Sequence, residues 1–280
     1  MLPFNGKCDL HIHSNASDGT WTPEKIVSIA KEKGVELISL TDHDEISNVE
    51  TCKEICRQNR LKFLSGVEIS STFNGEGIHI LGFGIDIQNH EFNEFIKINR
   101  MKLEHKDTEA IKGLIERGYK LSLEEYEKYT FDTQRGGWKA LNYLIDYEIC
   151  KDVNDFFEKL SKNENILEFP IFPSPEEVVK IVEKAGGVPV LAHPYYSKCD
   201  EAVEKRLSQF VELGIEGVEC FHPNHSRIIS EECANWCRKN NLIITCGSDS
   251  HGDFIKTRCI GKPEVDISLL NLADLKKYIN

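Results

Sequence analysis

Short apolar runs alternate with amphipathic stretches over the first 85 residues, and the alternation returns after about residue 174. The run Lys7-Cys8-Asp9-Leu10-His11-Ile12-His13 reads as a first strand. Residues 21–33 read as a helix, with Thr22 as N-cap, Pro23 at the first helical position and Gly34 as the stop. Strands at 35–40, 61–67 and 78–85, with a helix at 47–59, continue the pattern. Strand, helix and strand at this spacing predict the βαβ units of a parallel sheet or barrel.

Between about residues 90 and 170 only helical periodicity remains. A long helix is expected over 91–117, and shorter ones over 123–128, 138–149 and 154–160. This stretch reads as an inserted helical subdomain, a cap for substrate, whose exit is marked by Pro170, Pro173 and Pro175. The main domain would then comprise residues 1–89 and 171–280, and the insertion residues 90–170. Ser174-Pro175-Glu176-Glu177 carries a capping-box pattern and opens a helix. Strands at 188–192, 217–221, 242–246 and 258–261 and helices at 200–213, 229–239 and 268–278 follow. The seven or eight strands are apolar through most of their length, as parallel strands covered on both faces should be.

Composition narrows the possibilities. At 280 residues and 40% hydrophobic, the chain can hold one large α/β domain with an insertion. No apolar stretch approaches the roughly 20 residues of a membrane span, and the N-terminus lacks a secretory pattern, so a cytoplasmic location is expected. The ten cysteines are then expected as reduced thiols. Cys52/Cys56 and Cys233/Cys237, spaced i,i+4, read as half-buried small side chains rather than a second metal site. A net charge of −12 argues against broad attraction to long nucleic acid. It leaves room for a small anion at a pocket made locally positive by divalent ions. The sequence sets no oligomeric state.

The candidate chemistry lies at the strand ends. Side chains alternate along a strand, so His11 and His13 share one face, and Asp18 follows in a Ser17-Asp18-Gly19 turn. His43, Glu68, His79, His193, His222, Asp249 and His251 also sit at or beside apolar runs. In a βα barrel, functional residues gather at the carboxyl ends of strands. All of these fit except His79, which stands near the start of its run. Imidazole with carboxylate suits Zn, Mn or Fe better than Ca or Mg. So many ligands exceed what one ion takes, so two or three divalent ions are expected, with Glu68 as a natural bridge.

These residues resemble the PHP (polymerase and histidinol phosphatase) family over roughly residues 7–85 and 174–262. The resemblance implies a distorted (β/α)7 barrel and three ions. His11, His13, Glu68 and Asp249 would hold the first, Asp18, His43 and His251 the second, and Glu68, His79 and His193 the third. The stretches 9–20, 41–44, 66–70 and 79–82 look like the branch acting on nucleoside 3′,5′-bisphosphates and short RNA ends. Histidinol phosphatases, an alternative, usually carry histidine where this chain has Asp18. A metal hydrolase acting on a non-phosphate substrate such as an amide is a further alternative.

The expected activity is therefore metal-dependent hydrolysis of a small phosphate ester, with a metal-activated hydroxide in place of a side-chain nucleophile. Metal binding lowers the pKa of water from about 15.7 to about 7, roughly 12 kcal/mol of assistance. His222 is a candidate to bind phosphate or protonate the leaving group, and Asp249 counts with it as catalytic. Arg135 and Lys139, in the insertion's Gln134-Arg135-Gly136-Gly137-Trp138-Lys139, are candidate anchors for a second phosphate.

Overall fold

The computed structural model describes residues 6–195 and 201–279. Seven strands form one sheet in chain order. They are β1 (Lys7–Asp9), β2 (Val35–Leu40), β3 (Lys62–Phe73), β4 (Glu76–Phe83), β5 (Val188–Leu191), β6 (Gly217–Phe221) and β7 (Ile243–Cys246). β1, β2 and β3 run parallel, as do β5, β6 and β7. The two edges meet beyond their strands: Leu10 N–H donates to Cys246 O, Asp249 N–H to His11 O, and His13 N–H to Ser250 O.

β4 departs from the expected parallel pattern, running antiparallel to both β3 and β5. The cause is local. Asn74 and Gly75 have φ of 50° and 83°, the conformation of a two-residue hairpin turn, and Phe73 faces Glu76 across it. β3 also runs six residues past the expected end at 67, so Glu68 lies within the strand rather than at its end. The reversal removes the anomaly of His79, because the start of an antiparallel strand lies on the same rim as the ends of its neighbours.

Helices cover the outer face: α1 (Pro23–Glu32) and α2 (Val49–Asn59) before the insertion, and α7 (Pro175–Lys184), α8 (Val203–Glu212) and α9 (Arg227–Lys239) after it. The capping box at Ser174 and Glu177 is present. The start of the expected helix 200–213 lies outside the described residues. Two expectations near the C-terminus fail. No strand forms at 258–261, where the backbone turns and Gly261 N–H donates to Asp9 Oδ2 at 2.8 Å. The expected helix over 268–278 is instead two 3-10 segments, Ile267–Leu269 and Ala273–Tyr278. Asn271, between them, bridges Ile244 by backbone pairing and donates its side chain to Leu242 O, which interrupts the helix.

Residues 90–170 contain α3 (His90–Glu116), α4 (Leu123–Lys128), α5 (Lys139–Asp146) and α6 (Val153–Phe157). A π-helical segment, Glu158–Asn163, continues α6. α3 serves two cores. Its Phe92 and Ile96 pack with Val178 and Val182 of α7, while Ile111 and Leu114 pack with Leu141, Tyr143 and Phe156 of α5 and α6. Between them Asn99, fully buried, donates Nδ2 to Asp44 Oδ1 and to Ser70 O, both at 3.0 Å. This contact ties α3 to the residue after His43. Asn99→Ala leaves Asp44 short of a donor, and loss of a hydrogen bond to a charged group costs about 1.5–3 kcal/mol. Calorimetry should show a Tm lower by roughly 3–12 °C; an unchanged Tm would contradict this role.

Candidate metal centre

Buried carboxylates shape the loops that carry the ligands. Asp9, inside β1, accepts N–H from Ser248 and Gly261 at 2.9 and 2.8 Å, fixing the approach to Asp249. Burial pushes its carboxyl up to about 6, against the lowering effect of those hydrogen bonds. Asp42 accepts the Ser14 N–H and hydroxyl, both at 2.7 Å, and the Ser17 hydroxyl at 2.6 Å, which folds the turn presenting Asp18. On the β3–β4 ladder His79 pairs with Ser70, diagonal to Glu68 on the same face.

The result is a knot of imidazoles around Glu68. Glu68 Oε2 lies 3.2 Å from His11 Nε2, 3.2 Å from His13 Nε2 and 3.1 Å from His43 Nδ1. Its Oε1 lies 2.9 Å from both His79 Nδ1 and His193 Nε2. Asp249 Oδ1 is 3.1 Å from His13 Nε2 and 3.6 Å from His11 Nε2 and His251 Nδ1. Asp18 reaches His13 Nδ1 at 3.5 Å and His251 Nε2 at 3.3 Å. The floor of His11, His13, Glu68 and Asp249 is buried, while the His43 and His79 side chains are 25% and 33% exposed and form the mouth.

Charge follows this geometry. Burial alone would raise Glu68 and Asp249, but the surrounding imidazoles hold both carboxyls well below the usual range. Burial lowers His43 to about 3, outweighing the pull of Glu68 and Asp18. His13 rises to about 10, where the pull of Asp249, Glu68 and Asp18 together overcomes burial.

The donor set fits divalent ions. His11 Nε2, both nitrogens of His13, Glu68 Oε2 and His79 Nδ1 are buried without a hydrogen-bond partner. Orphaned polar atoms in a core are costly, and these converge on a common point. Three groups of ligand atoms lie within 4.8 Å of one another. His11, His13, Glu68 and Asp249 make one, as the resemblance implies; His13 joins Asp18, His43 and His251 in the second; the third is His43, Glu68 and His79. His193, expected in the third, faces the same Glu68 oxygen as His79. None of these groups contains a cysteine among the described residues; Cys52, Cys56, Cys233 and Cys237 are buried in the core.

The other candidates are placed differently. His222 is buried; its Nδ1 accepts Asn224 N–H at 3.1 Å, and its Nε2 lies 3.2 Å from Asp249 Oδ2. Both ring nitrogens thus face the protein, a geometry for orienting Asp249 rather than meeting phosphate. His222→Asn is expected to weaken metal affinity about 10-fold, read by chelator competition; unchanged affinity with lower turnover would favour a proton-transfer role. Arg135 forks onto Asp146 at 2.7 and 2.9 Å, and Lys139 Nζ donates to Glu127 O at 2.9 Å and lies over the Tyr126 ring. These donors are committed within the insertion. Sequence reasoning missed two neighbours. Glu219 bonds His11, and a lone carboxylate in the apolar Gly217-Val218-Glu219-Cys220-Phe221 run was a readable signal. Arg258 pairs with Asp249 Oδ2, and nothing in its local sequence marks it.

An α/β sheet with clustered imidazole and carboxylate candidate metal ligands on the rim of its strands fits a metal-dependent hydrolase. The chain belongs to the PHP domain family, which it matches over residues 9–172. Three relatives align over most of their length. It is 27% identical over 259 residues to the phosphoribosyl 1,2-cyclic phosphate 1,2-diphosphodiesterase of Eggerthella lenta, covering 90% of this chain and 97% of the relative. It is 27% identical over 258 residues to a 5′-3′ exoribonuclease of Haemophilus influenzae, covering 88% and 90%. It is 26% identical over 259 residues to the 3′,5′-nucleoside bisphosphate phosphatase of Chromobacterium violaceum, covering 91% of each. In fold it is similar to a solved amidohydrolase from Chromobacterium violaceum, with a TM-score of 0.82 at 24% identity, covering 98% of this chain and 97% of that one.

Proposed function

We propose that this protein is a metal-dependent phosphoesterase that hydrolyses a phosphate ester of a small nucleotide-like substrate, a nucleoside 3′,5′-bisphosphate or a short RNA end. The observation that carries the reading is the cluster of orphaned, inward-facing ligand atoms around Glu68, in a chain whose full-length relatives are named for cleaving phosphate esters. His11, His13, Glu68 and Asp249 would hold one ion, Asp18, His43 and His251 a second, and Glu68, His79 and His193 a third. Bound ions supply an ionised water at neutral pH and neutralise charge developing on the phosphoryl oxygens.

The chain's own residues set the stage. Glu68 and Asp249, kept ionised, fix the imidazoles in a buried floor. The mouth at His43 and His79 admits the phosphate. The insertion flanks that mouth: Gly137 N–H donates to Asp18 O at 2.7 Å, and Asn15 Nδ2 donates to Thr133 Oγ1 at 3.2 Å. Residues 90–170 therefore suit a cap over the remainder of the substrate, completing a barrel formed by 1–89 and 171–280. Zn, Mn and Fe suit the donor set.

The test is product release by Mn-loaded protein, inorganic phosphate from adenosine 3′,5′-bisphosphate, histidinol phosphate and an aryl phosphate and mononucleotide from a short RNA, each repeated with His43→Ala. Release from the nucleotide substrates, lost in the variant, is expected. Release from histidinol phosphate alone would overturn the substrate class, and no release from any would overturn the reading.

A further inference from the structure

One carboxylate outside the nine ligand candidates touches two of them. Glu219 stands in the middle of β6, fully buried. Its Oε1 lies 3.0 Å from His11 Nδ1, and its Oε2 accepts the backbone N–H of His193 at 2.9 Å. With Oε2 taken up by the His193 N–H, Oε1 is the acceptor that faces His11, and Nδ1 of His11 is the donor. The lone pair of His11 is then left on Nε2, the nitrogen facing Glu68 and Asp249.

His193 adopts a left-handed backbone, φ 22°, which a residue with a side chain keeps only when its surroundings impose it. The Glu219 oxygen on its N–H is such a constraint. Gly247 makes room for the arrangement: a Cβ there would lie 2.1 Å from His11 Cβ and 2.6 Å from Glu219 Oε1.

We propose that Glu219 is a positioning residue that sets the tautomer of His11 and the backbone of His193 together. It thereby couples the affinity of the His11–His13–Glu68–Asp249 group to that of the Glu68–His79–His193 group. The inference rests on the metal-centre reading above. Among the described residues no hydrogen bond joins Glu219 to Asp18, His43 or His251, so that group serves as an internal control.

The experiment titrates metal-free protein with Zn against a chromophoric chelator, comparing wild type with Glu219→Gln. Two binding steps are expected to weaken about 10–100-fold, the magnitude typical when a ligand histidine loses its outer carboxylate, while the remaining step moves less than about twofold. Equal weakening of every step, or none, would overturn the proposal, since a packing defect has no reason to choose between sites. A second readout needs no variant. In Zn-loaded wild type, long-range proton–nitrogen NMR should place the His11 proton on Nδ1, and a proton on Nε2 would overturn the proposal even if Glu219→Gln does not fold. Neither readout uses turnover, so a failed phosphatase assay leaves both interpretable.

Discussion

Glu68→Gln is expected to lower turnover by about 10³-fold or more. The two carboxylate oxygens face five imidazoles between 2.9 and 3.2 Å away, so every candidate ion group except that of Asp18 passes through this side chain. Glutamine keeps the volume but replaces one acceptor with a donor and removes the charge. A 10³-fold loss corresponds to about 4 kcal/mol at the transition state, within what bound ions contribute to phosphoryl chemistry. Steady-state kinetics with excess Mn decides it: a variant keeping more than about a tenth of wild-type kcat would show that Glu68 does not organise the centre.

The same substitution has a signature in the metal-free protein. The Glu68 carboxyl is held well below its ordinary value of 4.5. A group depressed on folding adds stability that is fully present above the unfolded value and lost as pH falls through the folded one. Wild type should therefore exceed Glu68→Gln in stability above about pH 5, and the gap should shrink on acidification.

Removing the ions should be nearly as damaging to the fold as to the chemistry. Each ion at 100 times its Kd contributes about 2.7 kcal/mol, so two or three together add about 5–8 kcal/mol. At about 2–4 °C per kcal/mol, chelation should lower Tm by on the order of 10–30 °C and abolish turnover, with Mn restoring both. The physical reason is the set of inward-facing atoms: without ions, His11 Nε2, His13 Nε2 and Glu68 Oε2 remain buried without a hydrogen-bond partner. A Tm that moves by less than about 2 °C would show that no tightly held ions are linked to folding.

Much of this site was legible because strands alternate. His11 and His13 share a face by their spacing alone, and apolar runs ending in histidine or carboxylate placed the rest on one rim. The β3–β4 hairpin was missed because β3 turns polar after Val67. Glu68, Ser70, Ser71 and Thr72 look like a loop, yet they are polar where they line the site and meet the exit of the insertion. The Asn74-Gly75 pair carried the turn signal. Near the C-terminus, Leu272 and Leu275 are spaced as in a helix and are buried, but the pairing of Asn271 with Ile244 prevents the helix from forming. Arg135 and Lys139 both find partners within residues 90–170. Whether a cation meets substrate depends on its neighbours, and Asp146 stands eleven residues beyond Arg135.

The most direct measurement is the number of divalent ions bound per chain, by elemental analysis of protein equilibrated with Mn or Zn and then dialysed. The account predicts two or three for wild type and at most one for Glu68→Gln. Fewer than one ion per wild-type chain would contradict it, because the converging imidazoles and carboxylates would then have no occupant.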